Sequence, residues 1–131
     1  MEKILIIIAV IVVIIIIGAV ISFSYIDSNH KKQIDNMVIS NVDITKIADG
    51  TYTGNCEVFP VSVEVKVTVK NHKITGIELV KHVNGKGAKA ETIINKVVEA
   101  QTLQVDIVTG ATSSSKVILK AIENALTSAI K

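Results

Sequence analysis

Val61-Ser62-Val63-Glu64-Val65-Lys66-Val67-Thr68-Val69-Lys70 puts a valine at every second position and a polar or charged residue between each pair. That period of two is the mark of a strand that buries one face and leaves the other in water. Upstream, Thr51–Val58 reads as a second strand, stopped by Pro60. Downstream, Asn71-His72 is a two-residue turn into a partner strand carrying Ile74, Ile77 and Leu79. Asn tolerates positive φ but His does so less easily, which predicts a loose hairpin. Glu57, Glu64 and Glu78 fall on outward positions and need no role beyond solubility.

Beyond the strands the apolar spacing becomes helical. Ala90, Ile93, Ile94, Val97 and Val98 share one helical face, and Ile118, Ile122, Ala125, Leu126 and Ala129 share another. Two such helices can cover the valine face. The expected fold is α+β: an N-terminal transmembrane helix, then a small domain with an antiparallel sheet covered by two helices. No internal repeat is visible.

The membrane expectation comes from Ile4–Ile21, an unbroken apolar run extended by Phe23, Tyr25 and Ile26. A run of ~18 or more such residues has the length of a membrane span. A cleavable signal has an apolar region of only about 7–15 residues and a small-residue cleavage site. Ala19-Val20-Ile21-Ser22 is a poor version of that site, and no Cys follows to carry a lipid. Residues 1–26 therefore read as an uncleaved anchor and 27–48 as a polar membrane-proximal linker, either a helix leaving the membrane or a spacer docked on the domain. Asp49-Gly50 opens a domain over 49–131 by its turn chemistry. Lys3 on one side and His30, Lys31 and Lys32 on the other leave orientation undecided by charge.

Composition excludes several functions. The 131 residues carry a formal charge of +2 and no Trp, so neither a basic footprint nor a stacking platform for nucleic acid is present. Cys56 is the only cysteine, which rules out an internal disulfide or a cysteine metal cage. His30, His72 and His82 lack metal-ligand spacing and read as solvated surface residues. Ser113–Ser115 have no adjacent His to activate a nucleophile. No residue set stands out as catalytic, and none as metal-binding.

Two glycine-bearing loops remain. Gly85-x-Gly87-x-x-Ala90 superficially fits a dinucleotide fingerprint, but it follows an antiparallel hairpin rather than opening a βαβ unit. Asp106-Ile107-Val108-Thr109-Gly110-Ala111-Thr112, followed by three serines, lies between the two helical segments. A small-residue turn there sets hydroxyls and backbone N–H groups at a helix start, which favours phosphate. On spacing alone Thr112 is equally an N-cap, Asp106 a turn cap and Lys116 an exposed helix lysine.

The sequence Asp106-x-x-Thr109-Gly110-Ala111-Thr112 resembles the flavinylation motif of the FMN-binding domain family. That family includes the flavin-bearing subunits of sodium-pumping NADH–quinone reductases and related electron-transport complexes. Asp49-Gly50-Thr51-Tyr52-Thr53-Gly54 resembles its opening strand. Val61–Lys70, Lys73–Val80 and Val97–Gln101 follow in the family's order, so the resemblance covers about residues 49 to 130.

The resemblance implies FMN as cofactor, joined through its phosphate to the Thr112 hydroxyl by a flavin transferase drawing on FAD. It implies cofactor or motif roles for Asp106, Thr109, Gly110, Ala111 and Ser113, with Asp106 helping the transferase and its metal engage the motif. Gly85 and Gly87 would border the flavin, although this loop departs from the family's usual Pro-Gly-Ile-Gly-like form. Apart from the resemblance, the place of Lys116 one turn into the helix suits it to neutralise a phosphodiester or to be an ordinary exposed lysine. Implied partners are a quinone-linked dehydrogenase and a downstream acceptor, with the domain on the extracytoplasmic side of the cell membrane. The alternatives are a membrane-tethered module holding FMN or another phosphorylated ligand non-covalently, and a small structural subunit of a redox complex. With Tyr52 and Phe59 as the domain's only aromatics, the flavin ring is expected to lie exposed between partners.

Overall fold

The computed structural model describes residues 1–83 and 88–130. Its elements are α1 (Glu2–Asn36), β1 (Gly50–Val58), β2 (Val61–Lys70), β3 (Lys73–Val83), α2 (Ile93–Ala100) and α3 (Thr112–Ala129). Short 3₁₀ turns lie at Ile44–Lys46 and Ala88–Thr92. The chain divides into two compact units, Met1–Lys32 and Gln33–Lys131. The first is helical, and α1 is long and apolar enough to cross a membrane. The second carries an antiparallel sheet with α2 and α3, which is the expected α+β architecture.

The sheet runs β1-β2-β3. The central strand β2 buries Val61, Val63, Val65, Val67 and Val69 on one face, with β1 paired along one side and β3 along the other. The β2–β3 hairpin is tighter than its sequence predicts. Lys70 pairs directly with Lys73, and Asn71 and His72 both adopt positive φ, 51° and 61°. These are the values of a type I′ turn, whose twist matches that of the strands it joins. The Asn71 N–H donates to Asp49 Oδ1 (2.8 Å), which helps hold His72 in a conformation that it enters less easily than Asn or Gly. At the free edge of β3, Gln101 closes the backbone: Ile74 N–H donates to its Oε1, and its Nε2 donates to Ile74 O, both at 2.8 Å. A side-chain amide thus stands where a fourth strand would pair.

Helix α3 lies over β1 and β2, and α2 packs against β3. Ile93 and Val97 of α2, and Ile118, Ala121, Ile122, Ala125 and Leu126 of α3, are buried with the valines. The helix meets the sheet most closely at Gly54. A methyl group there would overlap Ala121 O and Ala125 N and lie 2.7 Å from Ala125 Cβ.

The second unit begins before the strands. Ile34, Ile44 and Ile47 are core residues. Polar groups of α3 and of the chain before it hold the stretch 34–41 in place. Lys116 Nζ donates to Ile34 O (3.0 Å) and Lys120 Nζ to Val38 O (3.2 Å). The Ser40 N–H donates to Glu123 Oε2 (3.1 Å), and Gln104 Nε2 donates to Ile39 O (3.0 Å). Glu123, only 9% exposed, is satisfied by Ser40 and by the Lys120 ammonium, 3.0 Å from its Oε1.

These contacts fix direction. Gly54 faces Ala121 and Ala125, and Asn124 Nδ2 donates to Asn55 O. Along α3, Lys116, Lys120 and Glu123 meet Ile34, Val38 and Ser40 in turn, and the same segment goes on to border His72 and Lys73 with Asn41–Thr45. α3 therefore runs toward the hairpin end at which β1 begins, antiparallel to β1. From Gly54 to Val58 the strand climbs about 13 Å, equal to about nine residues of helix, which reaches the first turn of α3. One end of the unit therefore gathers the β1–β2 turn, the last residues of β3 and the start of α3. The other gathers the Asn71-His72 turn, Gln101 and Asp49.

Gly54→Ala should lower the unfolding free energy by about 1–3 kcal/mol, since the helix must move to admit the methyl. Urea denaturation with an unchanged m-value checks it. Residues 49–131 alone should be less stable than 33–131 by roughly 3 kcal/mol or more, because Ile34, Ile44 and Ile47 are lost from the core. The difference is read as a shift in urea midpoint.

Candidate functional site

The chain between α2 and α3 is tied at both ends. Gln101 stops α2 in the left-handed region (φ 55°), with its N–H on Val97 O at 2.8 Å. Leu103 is buried, Val105, Ile107 and Val108 are half-buried, and Asp106 between them is exposed. At Val108 the chain turns: Ala111 N–H donates to Val108 O (3.0 Å), and Gly110 has φ 81°. Positive φ at the third position of a four-residue turn is the requirement of a type II turn, met by glycine without strain. The space around Gly110 is open, so its need is conformational rather than steric.

Ser115 fastens this turn to the helix. Its Oγ accepts from Val108 N–H (3.2 Å), and its own N–H donates to Ala111 O (2.9 Å). Ser114, Ser115 and Ala111 are buried, which seats the first turn of α3 on the core. Sequence spacing gave Ser115 no role. The burial that creates it comes from the helix packing.

Thr112 is the first residue of α3 rather than its cap. The cap is Ala111, which has no side-chain oxygen with which to cap the helix itself. The leading N–H groups of an α-helix have no partner within it. Thr112 is exposed, and its hydroxyl makes no hydrogen bond among the described residues. Ser113 beside it is half-buried, and Thr109 and Gly110 are exposed.

The other candidates fall into place around this turn. Asp106 makes no hydrogen bond among the described residues and so does not cap a turn there. It borders two shallow grooves, one of about 430 Å³ against Lys96 and Glu99, the other of about 390 Å³ against Met37 and Lys116. Lys116 is occupied on Ile34 O and ties down the preceding segment rather than reaching the turn. Gly85 and Gly87 lie outside the described residues. His82 differs from its sequence reading as a solvated residue. Its side chain is 2% exposed, with Nδ1 3.1 Å from Glu91 Oε1, because the end of β3 is covered by the 3₁₀ turn that carries Glu91.

The site is thus a glycine turn presenting exposed Thr109 and Thr112 at the N-terminus of an 18-residue helix. Those features fit a phosphate: N–H donors, the positive end of the helix dipole and room beside Gly110. The fold and this turn define a small α+β domain whose last helix starts at an exposed glycine turn. Residues 60–127, just over half of the chain, match the FMN-binding domain, and the chain belongs to that family. Its cofactor is FMN. No curated protein matches the chain.

Ser115→Ala should cost about 1 kcal/mol, since the half-buried Val108 N–H loses its acceptor. Thr112→Val, at an exposed position, should stay within about 0.5 kcal/mol of the parent. Parallel urea titrations of the two variants check the contrast.

Proposed function

We propose that this chain is a membrane-anchored electron carrier whose FMN is joined by a phosphoester bond to Thr112. The observation that carries this reading is the exposed Thr112 hydroxyl, held at the N-terminus of α3 inside an Asp-x-x-Thr-Gly-Ala-Thr pattern that resembles the family's flavinylation motif. A flavin transferase would supply the group from FAD. The Thr112 Oγ1–P bond forms as the pyrophosphate P–O bond of FAD breaks, AMP departs and the hydroxyl proton is lost.

Each residue of the turn has a part. Gly110 gives the backbone its reversal, and buried Ala111 with Ser115 hold the hydroxyl at a fixed place on the surface. The first N–H groups of α3 face the phosphate and offset its charge. Exposed Asp106, with its carboxylate uncommitted among the described residues, is available to the transferase and its bound metal. Once bound, the flavin supplies the capacity to accept and pass on one or two electrons.

The covalent link keeps the cofactor where free FMN is scarce, which accords with a domain on the extracytoplasmic side of the membrane. α1 is the anchor, and the partners are a quinone-linked dehydrogenase and a downstream acceptor.

The test is intact mass of the full chain, coexpressed with a flavin transferase and denatured before measurement. The expected result is a gain of one FMN less one water, lost in Thr112→Val and retained in Ser113→Ala. An unmodified chain beside a transferase active on a second substrate would overturn the covalent reading and leave non-covalent binding of FMN.

A further inference from the structure

Tyr52 and Phe59 are the only aromatic residues after Tyr25, and the fold separates them. Tyr52 is committed: its hydroxyl donates to Ala48 O (2.6 Å), and it pairs with Val67 toward the Asn71-His72 end of the sheet. Phe59 lies at the tip of the β1–β2 turn, between the paired and buried Val58 and Val61. It is 68% exposed. The antiparallel course of β1 beneath α3 brings that tip to the end of the unit where α3 begins with Thr112.

We infer that Phe59 is a positioning residue for the flavin, offering its ring as the surface on which the isoalloxazine rests. The inference depends on the reading of Thr112 as the attachment point. Tethering at Thr112 confines the flavin ring to the neighbourhood of this end, so even a modest aromatic contact is populated. Offset stacking of two flat rings is favoured beyond the area that it buries. One flavin face would then be covered by Phe59 and the other left open to a redox partner. This refines the expectation of a ring exposed on both sides.

The experiment uses the full chain, flavinylated by coexpression and verified by intact mass, in parent, Phe59→Trp and Lys73→Trp forms. An indole in contact with an excited isoalloxazine transfers an electron to it and quenches its emission. Phe59 is exposed, so its replacement by Trp does not disturb the core. Lys73, exposed at the far end of β3, is the control. The expected result is a several-fold loss of flavin fluorescence in Phe59→Trp, with Lys73→Trp as bright as the parent. A mass-verified Phe59→Trp chain of parental brightness would overturn the inference and leave the covalent attachment standing. A parent chain that carries no FMN would remove both.

Discussion

Gly54 and the pair Ala121 and Ala125 set how α3 lies on the sheet, and most of the domain follows from that approach. The backbone of β1 and the backbone of the helix are so close that a single methyl would overlap main-chain atoms. Close-packed interiors transmit such a displacement rather than absorb it. With α3 held there, Ile118, Ile122 and Leu126 join the valines in the core, and the first turn of the helix is seated by buried Ser114 and Ser115. The position of Thr112 on the surface is therefore a consequence of small residues roughly two and a half to three and a half turns away along the same helix.

The outer side of the helix is used as fully as its inner side. Lys116, Lys120 and Glu123 face the segment before the sheet and satisfy its backbone groups, while Ile34, Ile44 and Ile47 enter the core beneath. Buried charge is tolerated only when paired and hydrogen-bonded, and Glu123 meets both conditions. Cys56 sits beside this cluster. Burial pushes its thiol up from the ordinary value, Lys120 pulls against that shift and Glu123 adds to it. A thiol so placed stays protonated and unreactive at neutral pH. Its contribution to stability is complete below the ordinary thiol range and is lost as pH rises through the higher value of the folded state.

The turn before α3 separates rigidity from chemistry. Ala111, Ser114 and Ser115 are buried and bonded, so the turn has one shape, whereas Thr112 and Asp106 stand out from it. A modifying enzyme needs its acceptor hydroxyl exposed and its recognition residues in a fixed arrangement. A carrier needs its cofactor held in one place without enclosing it. In the proposed carrier the same short turn would answer both needs, with Ala111 leaving the cap position of the helix free of a side-chain oxygen.

Much of this was written in local sequence. The alternating valines dictated β2 and its inward face, the three- and four-residue spacings dictated α2 and α3, and Ile4–Ile21 dictated a helix of membrane-spanning length. These are properties of neighbours along the chain, and period and composition carry them. The motif likewise announced a glycine turn before a helix. What the sequence left undetermined were contacts between residues far apart in the chain. Asp49 tightening the Asn71-His72 turn, Gln101 closing the edge of β3, Lys116 turned toward Ile34 and the burial of His82 against Glu91 all depend on which surfaces meet. Thr112 shows the division most plainly. Its sequence allowed a capping hydroxyl or an exposed one, and only the packing of α3 against Gly54, which seats Ala111 and Ser115 in the core, left that hydroxyl facing water.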